Sequence, residues 1–300
     1  MSLPSYPSPA GVAARAPQPG LFPLRPLTVG EILSTALLVT RRYLAVLAPV
    51  GLLIGLLYAG ATLGVAAATG SLDELAKGSL PMLPSNPTAA ELDAYLPYLG
   101  KLLLGTAAGL LVSLIGAPFA SGVAAPFAAQ AAVTKSGAVV GPLTRLKGRW
   151  GVLLAASVVA GVGTTLGFGL LVVPGVLLWL ILLPLGPVTA MEGLPVRGSL
   201  RRAMAVSKGV KGRILGVTLL ATLFVGIFGF VVGTLFGTLT NAMDPVPRLL
   251  LTDGLTVLTS MLTVPFMASV NAMLYIDLRM RKEGLARALA AAAADGSVPN

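Results

Sequence analysis

Chemistry in this sequence would have to come from very few side chains. There is no His and no Cys, which removes the commonest general base near neutral pH, the commonest metal ligand, the thiolate nucleophile and the disulfide. What remains is a pair of carboxylates, Glu192 and Asp277, each ending an apolar run and standing near Arg197 and near Arg279 or Arg281. Two carboxylates do acid/base work only when the fold brings them into one cleft; otherwise they are boundary ion pairs that set helix depth. Within the apolar runs the leading polar residues are Ser113, Gln130, Thr164, Thr165 and Asn271, whose ordinary use is hydrogen bonding between membrane helices. Gly161-Val162-Gly163 looks like a phosphate loop but lies in apolar sequence with no preceding strand and no following Lys. The expectation is a protein that is not an enzyme, with no cofactor and no metal.

The elements that position these residues follow from composition. Of 300 residues, 55% are hydrophobic and 11% charged, against about 25% charged in soluble domains. Such a chain cannot clothe a water-soluble core of this size, so it is read as an integral membrane protein. A crossing helix needs about 20 apolar residues. Five stretches without Asp, Glu, Lys or Arg are long enough: 43–72, 102–134, 150–191, 214–243 and 254–276. The third, at 42 residues, carries Val172-Val173-Pro174-Gly175 near its middle. It is either one long kinked helix or two helices in a tight hairpin, and the hairpin is preferred. The reading is all-α, with six transmembrane helices at about 44–69, 102–125, 151–171, 175–191, 214–240 and 254–276.

Charge supports the even number. With the N-terminus in the cytoplasm, 18 of the 21 Lys and Arg fall on one side, leaving Lys77, Lys101 and Arg248 opposite. Both termini are therefore expected in the cytoplasm of a cell whose inner membrane holds the chain. The positive charge (net +10) lines one membrane face, as insertion requires, so anionic lipid head groups rather than nucleic acid are the expected partners. Residues 1–27, rich in Pro, read as a disordered tail, 28–288 as the membrane domain and 289–300 as an Ala-rich tail, with Leu285 to Ala294 helical and fraying at Asp295-Gly296. In the loop from Ser71 to Gly100, Pro81, Pro84, Pro87 and Pro97 should break the chain into short pieces, and Thr88 with Glu91 has the spacing of a capping box that starts a small surface helix.

A unit recurs three times. Arg41-Arg42-Tyr43, Lys147-Gly148-Arg149-Trp150 and Lys211-Gly212-Arg213-Ile214 each precede an outgoing run, while Pro126, Pro187 and Pro265 lie in the returning ones. Three hairpins follow, each led by a cytoplasmic helix lying along the membrane. Two lead-in segments are amphipathic: Ile32, Ala36, Val39 and Tyr43 form one stripe, and Val196, Leu200, Ala203, Met204 and Ser207 another. Around the second, Arg197, Arg201, Arg202, Lys208, Lys211 and Arg213 are candidates for lipid head-group contact, either as a simple anchor or as recognition of a particular lipid or partner. Pro126, Pro187, Pro265 and Asn271 are candidates for kinks that line a cavity. Glycines four apart, such as Gly51/Gly55, Gly105/Gly109 and Gly229/Gly233/Gly237, suit close helix packing, within the chain or in a homodimer.

Three passages resemble a known family, the glycerophosphoryl diester phosphodiesterase membrane domain. They are Arg25-Pro26-Leu27-Thr28-Val29-Gly30-Glu31-Ile32-Leu33 with Arg41-Arg42; the stretch from Val173-Pro174-Gly175-Val176 through Ala190-Met191-Glu192-Gly193-Leu194 to Ser199-Leu200-Arg201-Arg202-Ala203 and Ser207-Lys208-Gly209; and Leu274-Tyr275-Ile276-Asp277-Leu278-Arg279-Met280-Arg281-Lys282-Glu283-Gly284-Leu285. The resemblance implies the membrane layout. It does not imply the catalytic barrel to which that domain is sometimes fused, because the barrel's active site uses His and this chain has none. The expected role is a membrane protein that engages lipid, a hydrophobic solute or a partner protein; the alternative is a transporter of small solutes or lipid working through the kinked even-numbered spans.

Overall fold

The computed structural model describes residues 18–77, 86–240 and 243–294. The chain before Gln18, the loop prolines Pro81 and Pro84, and Asp295-Gly296 lie outside the described residues. The described chain is all-helical, and six of its helices are long and apolar enough to cross a membrane. In chain order α1 is Val29–Arg42, α2 Leu44–Ala68, α3 Leu72–Lys77, α4 Ala89–Val133, α5 Val140–Leu146 and α6 Trp150–Leu170; α7 is Val172–Leu182, α8 Leu185–Glu192, α9 Val196–Ser207, α10 Lys211–Thr240, α11 Pro245–Glu283 and α12 Leu285–Ala294. The six spans are α2, α4, α6, α7 with α8, α10 and α11.

Local sequence explains most of the boundaries. Thr28 caps α1 in a capping box, its hydroxyl taking the Glu31 N–H while the Glu31 carboxylate takes the Thr28 N–H at 2.7 Å. That backbone donor, more than any other group, holds the Glu31 carboxyl below its ordinary value. Thr88 and Glu91 repeat the arrangement at the start of α4. The expected small surface helix is, however, the first two turns of a 45-residue α4 that runs through Pro97, Pro118 and Pro126. Pro97 removes only the bond to the carbonyl of Asp93, and Asp93 is exposed, so the helix continues where a break was expected. Between α6 and α7 a single extended residue, Leu171, separates the helices, with Pro174 in the first turn of α7. Gly175 serves close approach rather than a sharp turn: a Cβ there would stand 2.6 Å from the Phe168 ring.

Packing centres on α2, α4 and α11, which lie against one another, with α6 and α8 on the outer side of α4. Glycine allows the closest approaches. A Cβ on Gly51 or Gly55 would collide with Ser260 of α11, whose hydroxyl donates to the Gly51 carbonyl at 2.8 Å. Gly186 of α8 sits directly against the backbone of α4 at Pro118 and Gly122. The glycine pattern thus works within the chain at these crossings. Gly229, Gly233 and Gly237 of α10 face open space instead, because α10 touches the rest of the bundle mainly along α11.

The end of the bundle where α1 finishes, α6 and α10 begin, and α4, α8 and α11 finish carries most of the Lys and Arg, and is called the basic end below. Two expectations change there. Residues 18–27 do not form a free tail: Phe22, Leu24 and Leu27 are buried in the main core, and the Leu21 N–H donates to the Ala131 carbonyl at 2.7 Å. The apolar residues among the prolines drive this docking, which a count of prolines hides. The stripe Ile32, Ala36 and Val39 of α1 is likewise buried in that core, α1 lying along α11 rather than sinking into an acyl layer. The second stripe behaves in the same way: Ala203, Val206 and Ser207 of α9 pack against α6, α7 and α8, while Met204 stays exposed.

Candidate functional site

The last turns of α11 tie the basic end together. Asp277 is fully buried and its carboxylate accepts from the Leu27 N–H at 2.8 Å, from Arg213 Nε at 2.8 Å and from Arg281 Nε at 3.0 Å. The two guanidiniums then close the ring, each donating to the Leu27 carbonyl, at 2.6 Å and 2.8 Å. Both backbone groups of Leu27 and both oxygens of the buried carboxylate are therefore satisfied, which a buried charge requires. A second cluster forms around Tyr275 and Glu283 of the same helix. The Tyr275 hydroxyl donates to Glu192 Oε1 at 2.9 Å, Arg202 Nε donates to Glu192 Oε2 at 2.7 Å, and Arg202 also reaches Glu283 at 2.6 Å. Its hydrogen bond to Glu192 is the main reason the Arg202 guanidinium is held above its ordinary value. Arg279 pairs with Glu283 at 2.9 Å, and Lys282 Nζ donates to the carbonyls of Val206 and Lys208 at 2.7 and 2.6 Å. α11 so clasps the N-terminal segment, α8, α9 and the start of α10 at one point.

Glu192 is held by Arg202 and Tyr275, and Asp277 by Arg213 and Arg281, so the two carboxylates sit in separate ion-pair clusters. Arg281 is a partner of Asp277 as the i, i+4 spacing suggests. Arg213, 64 residues away, was legible only as one of several interface cations. Arg202, not Arg197, pairs with Glu192. Of the six basic residues read as lipid contacts, Arg202 and Arg213 are therefore committed to carboxylates inside the protein. Arg197, Arg201, Lys208 and Lys211 remain exposed along α9 and the start of α10.

Two open clefts flank α10. On the side of α1 and α2 an apolar crevice of 410 Å³ is lined by Leu37, Leu44, Phe224, Phe228, Leu262 and Phe266, with Arg41 as the charged residue on its wall. Arg41 and Arg42 differ in role. Arg42 donates to the Lys135 carbonyl and fixes the loop after α4, whereas Arg41 is exposed at the crevice. On the other side, between α2, α4, α10 and α11, a cleft of 170 Å³ is bounded by Ile54, Ser113, Ala117, Val225, Thr263 and Asn271. Asn271 is 5% exposed, and among the described residues its Oδ1 has no hydrogen-bond partner. Leaving such a group unsatisfied costs about 1–3 kcal/mol. Thr218 of α10 is a second buried group whose hydroxyl is unpartnered among the described residues. Phe224 packs on Phe266 at 5.3 Å, and the antiparallel run of α10 and α11 then brings Thr218 to about the depth of Asn271.

The three prolines do not line one path. Pro265 sits with its Cδ against Gly51 of α2, and the Thr40 hydroxyl donates to its carbonyl at 3.3 Å. Pro126 is buried inside α4. Pro187 lies in the first turn of α8, and the break between α7 and α8 is one turn earlier, at Leu183-Pro184. Asn271 lines two cavities, since a small void beside Pro118 and Trp179 reaches it from the α6 and α7 side. Among the described residues no group of three or more His, Cys, Asp and Glu could hold a metal ion. In comparisons with known proteins, no family model, no curated protein and no solved structure matches the chain.

Proposed function

We propose that this six-span protein is a non-enzymatic membrane module that holds an anionic phospholipid in the crevice beside α10, with its phosphate on Arg41. The supporting observation is the crevice itself: 410 Å³, walled mainly by Leu and Phe with Val225, Thr40 and Thr263, and bordered by an exposed guanidinium. Apolar walls suit an acyl chain, and a guanidinium suits a phosphate, which it can bind bidentately. In this reading the basic end faces the cytoplasm of the inner membrane, as the positive-inside rule requires. The spans form three out-and-back hairpins, and Arg197, Arg201, Lys208 and Lys211 attract the anionic leaflet more diffusely. Kinship with the glycerophosphoryl diester phosphodiesterase membrane domain is proposed on the three passages that resemble it. The second passage joins the third through Arg202 and Glu283, and Arg213, which lies just beyond the second, joins the first and third through Leu27 and Asp277.

Native mass spectrometry of the protein released from membranes in mild detergent tests the crevice. Wild type is expected to retain one phosphatidylglycerol. Arg41→Glu should lose it by about tenfold or more, since a hydrogen-bonded charge contact contributes about 1.5–3 kcal/mol. Arg197→Glu, on the diffuse surface, should change retention little. Equal retention by wild type and Arg41→Glu would refute the site.

A further inference from the structure

We propose that the cleft between α2, α4, α10 and α11, which adjoins the Arg41 crevice across Val225 and Thr263, is a second binding site, for a neutral lipid bearing a free hydroxyl, of the diacylglycerol class. Asn271 and Ser113 border this cleft and not the crevice, and Arg41 borders the crevice and not this cleft. No charged residue borders it, so an ionic head group there would lose its hydration without compensation. Its polar groups are one carboxamide and two hydroxyls. The Ser113 proton is committed to the Gly109 carbonyl at 3.0 Å and the Thr263 proton to the Thr259 carbonyl at 3.1 Å. Both oxygens can therefore only accept. Asn271 offers a carboxamide with an unpartnered Oδ1, and a carboxamide carries donors as well as an acceptor. The complementary ligand brings one hydroxyl donor to this set and carbonyl acceptors for the amide N–H, which describes a diacylglycerol head.

Size and depth agree. A cleft of 170 Å³ is more than ten times the about 15 Å³ that a single water needs, which leaves room for a lipid's polar head. Asn271 lies six residues before Asp277, about 9 Å along the helix, within one leaflet of a hydrocarbon layer about 30 Å thick. A lipid hydroxyl lies at such shallow depth, with its chains running alongside α10. The outer half of α10 leaves them room, since Leu223, Ile227 and Phe230 are exposed and no neighbour meets Gly229 or Gly233.

The test is binding of 1,2-dioleoylglycerol to the full-length protein in phosphatidylcholine nanodiscs, read by native mass spectrometry. The competitor is 1,2-dioleoyl-3-O-methylglycerol, which has the same chains and no donor. Wild type is expected to prefer the free hydroxyl by about tenfold. Asn271→Leu should abolish that preference, and Thr263→Val, a gentler change that keeps shape, should reduce it severalfold. Arg41→Glu should leave it untouched, so failure here and failure of the phospholipid site are read separately. Equal binding of the two glycerolipids to wild type would overturn the proposal whatever the variants do, as would a preference that survives in folded Asn271→Leu, or uptake of neither lipid.

Discussion

Replacing Asp277 by Ala is expected to be the most damaging single change outside the apolar core, lowering stability by about 3–5 kcal/mol. The carboxylate is fully buried between Arg213 and Arg281 and takes the Leu27 N–H. Its removal leaves two guanidiniums facing each other with no counter-charge and a backbone donor with no acceptor. Thermal unfolding in detergent, followed by helix signal, should show a fall in melting temperature well beyond that of Arg25→Ala. Arg25 pairs with Glu31 at the surface, and such exposed pairs contribute only about 0–1 kcal/mol. Protease access near Leu27 should rise in the Asp277 variant before global unfolding, because the N-terminal segment is held through that residue.

Gly186→Val should be comparably severe, with a cost of about 3 kcal/mol or loss of folded protein. A Cβ at that position would overlap the Pro118 carbonyl oxygen and lie 2.6 Å from Ser121 Oγ. α8 would have to leave α4, since backbone cannot yield as a flexible side chain can. The contrast is α10. Ala at Gly229, Gly233 and Gly237 meets open space and should leave the melting temperature unchanged or raise it slightly, Ala being the better helix former. A fall after the triple change would show that this face is packed against something, such as a second copy of the chain.

The contrast also marks what the sequence could reveal. Glycines four apart occur at Gly51/Gly55 and at Gly229/Gly233, and nothing local distinguishes the pair that meets Ser260 from the pair that meets nothing. Span positions were readable because the absence of charge is a property of a continuous stretch. Charge-free limits nevertheless understated α4 and α11, which run on through Glu91 and Arg281, since a charged residue outside the hydrocarbon does not end a helix. The capping boxes at Thr28 and Thr88 were legible because both partners lie within four residues. Arg213 with Asp277 was not, because only the fold brings them together. The burial of Phe22, Leu24 and Leu27 was missed for a related reason: three apolar residues among prolines have no periodicity, and their partners are the distant ends of α4 and α11. Asn271 was visible as a polar residue in an apolar span, but that it lacks a partner emerges only from the packing.

The account depends most on an even number of crossings with the basic end in the cytoplasm. The absence of native Cys permits a clean test by single-cysteine labelling of intact cells with a membrane-impermeant maleimide. Cysteine at Gly70 or Met243 should label from outside, while cysteine at Ser136 or Gly209 should label only after the membrane is opened. Labelling of Ser136 or Gly209 from outside, or protection of Gly70 or Met243 until the membrane is opened, would contradict it.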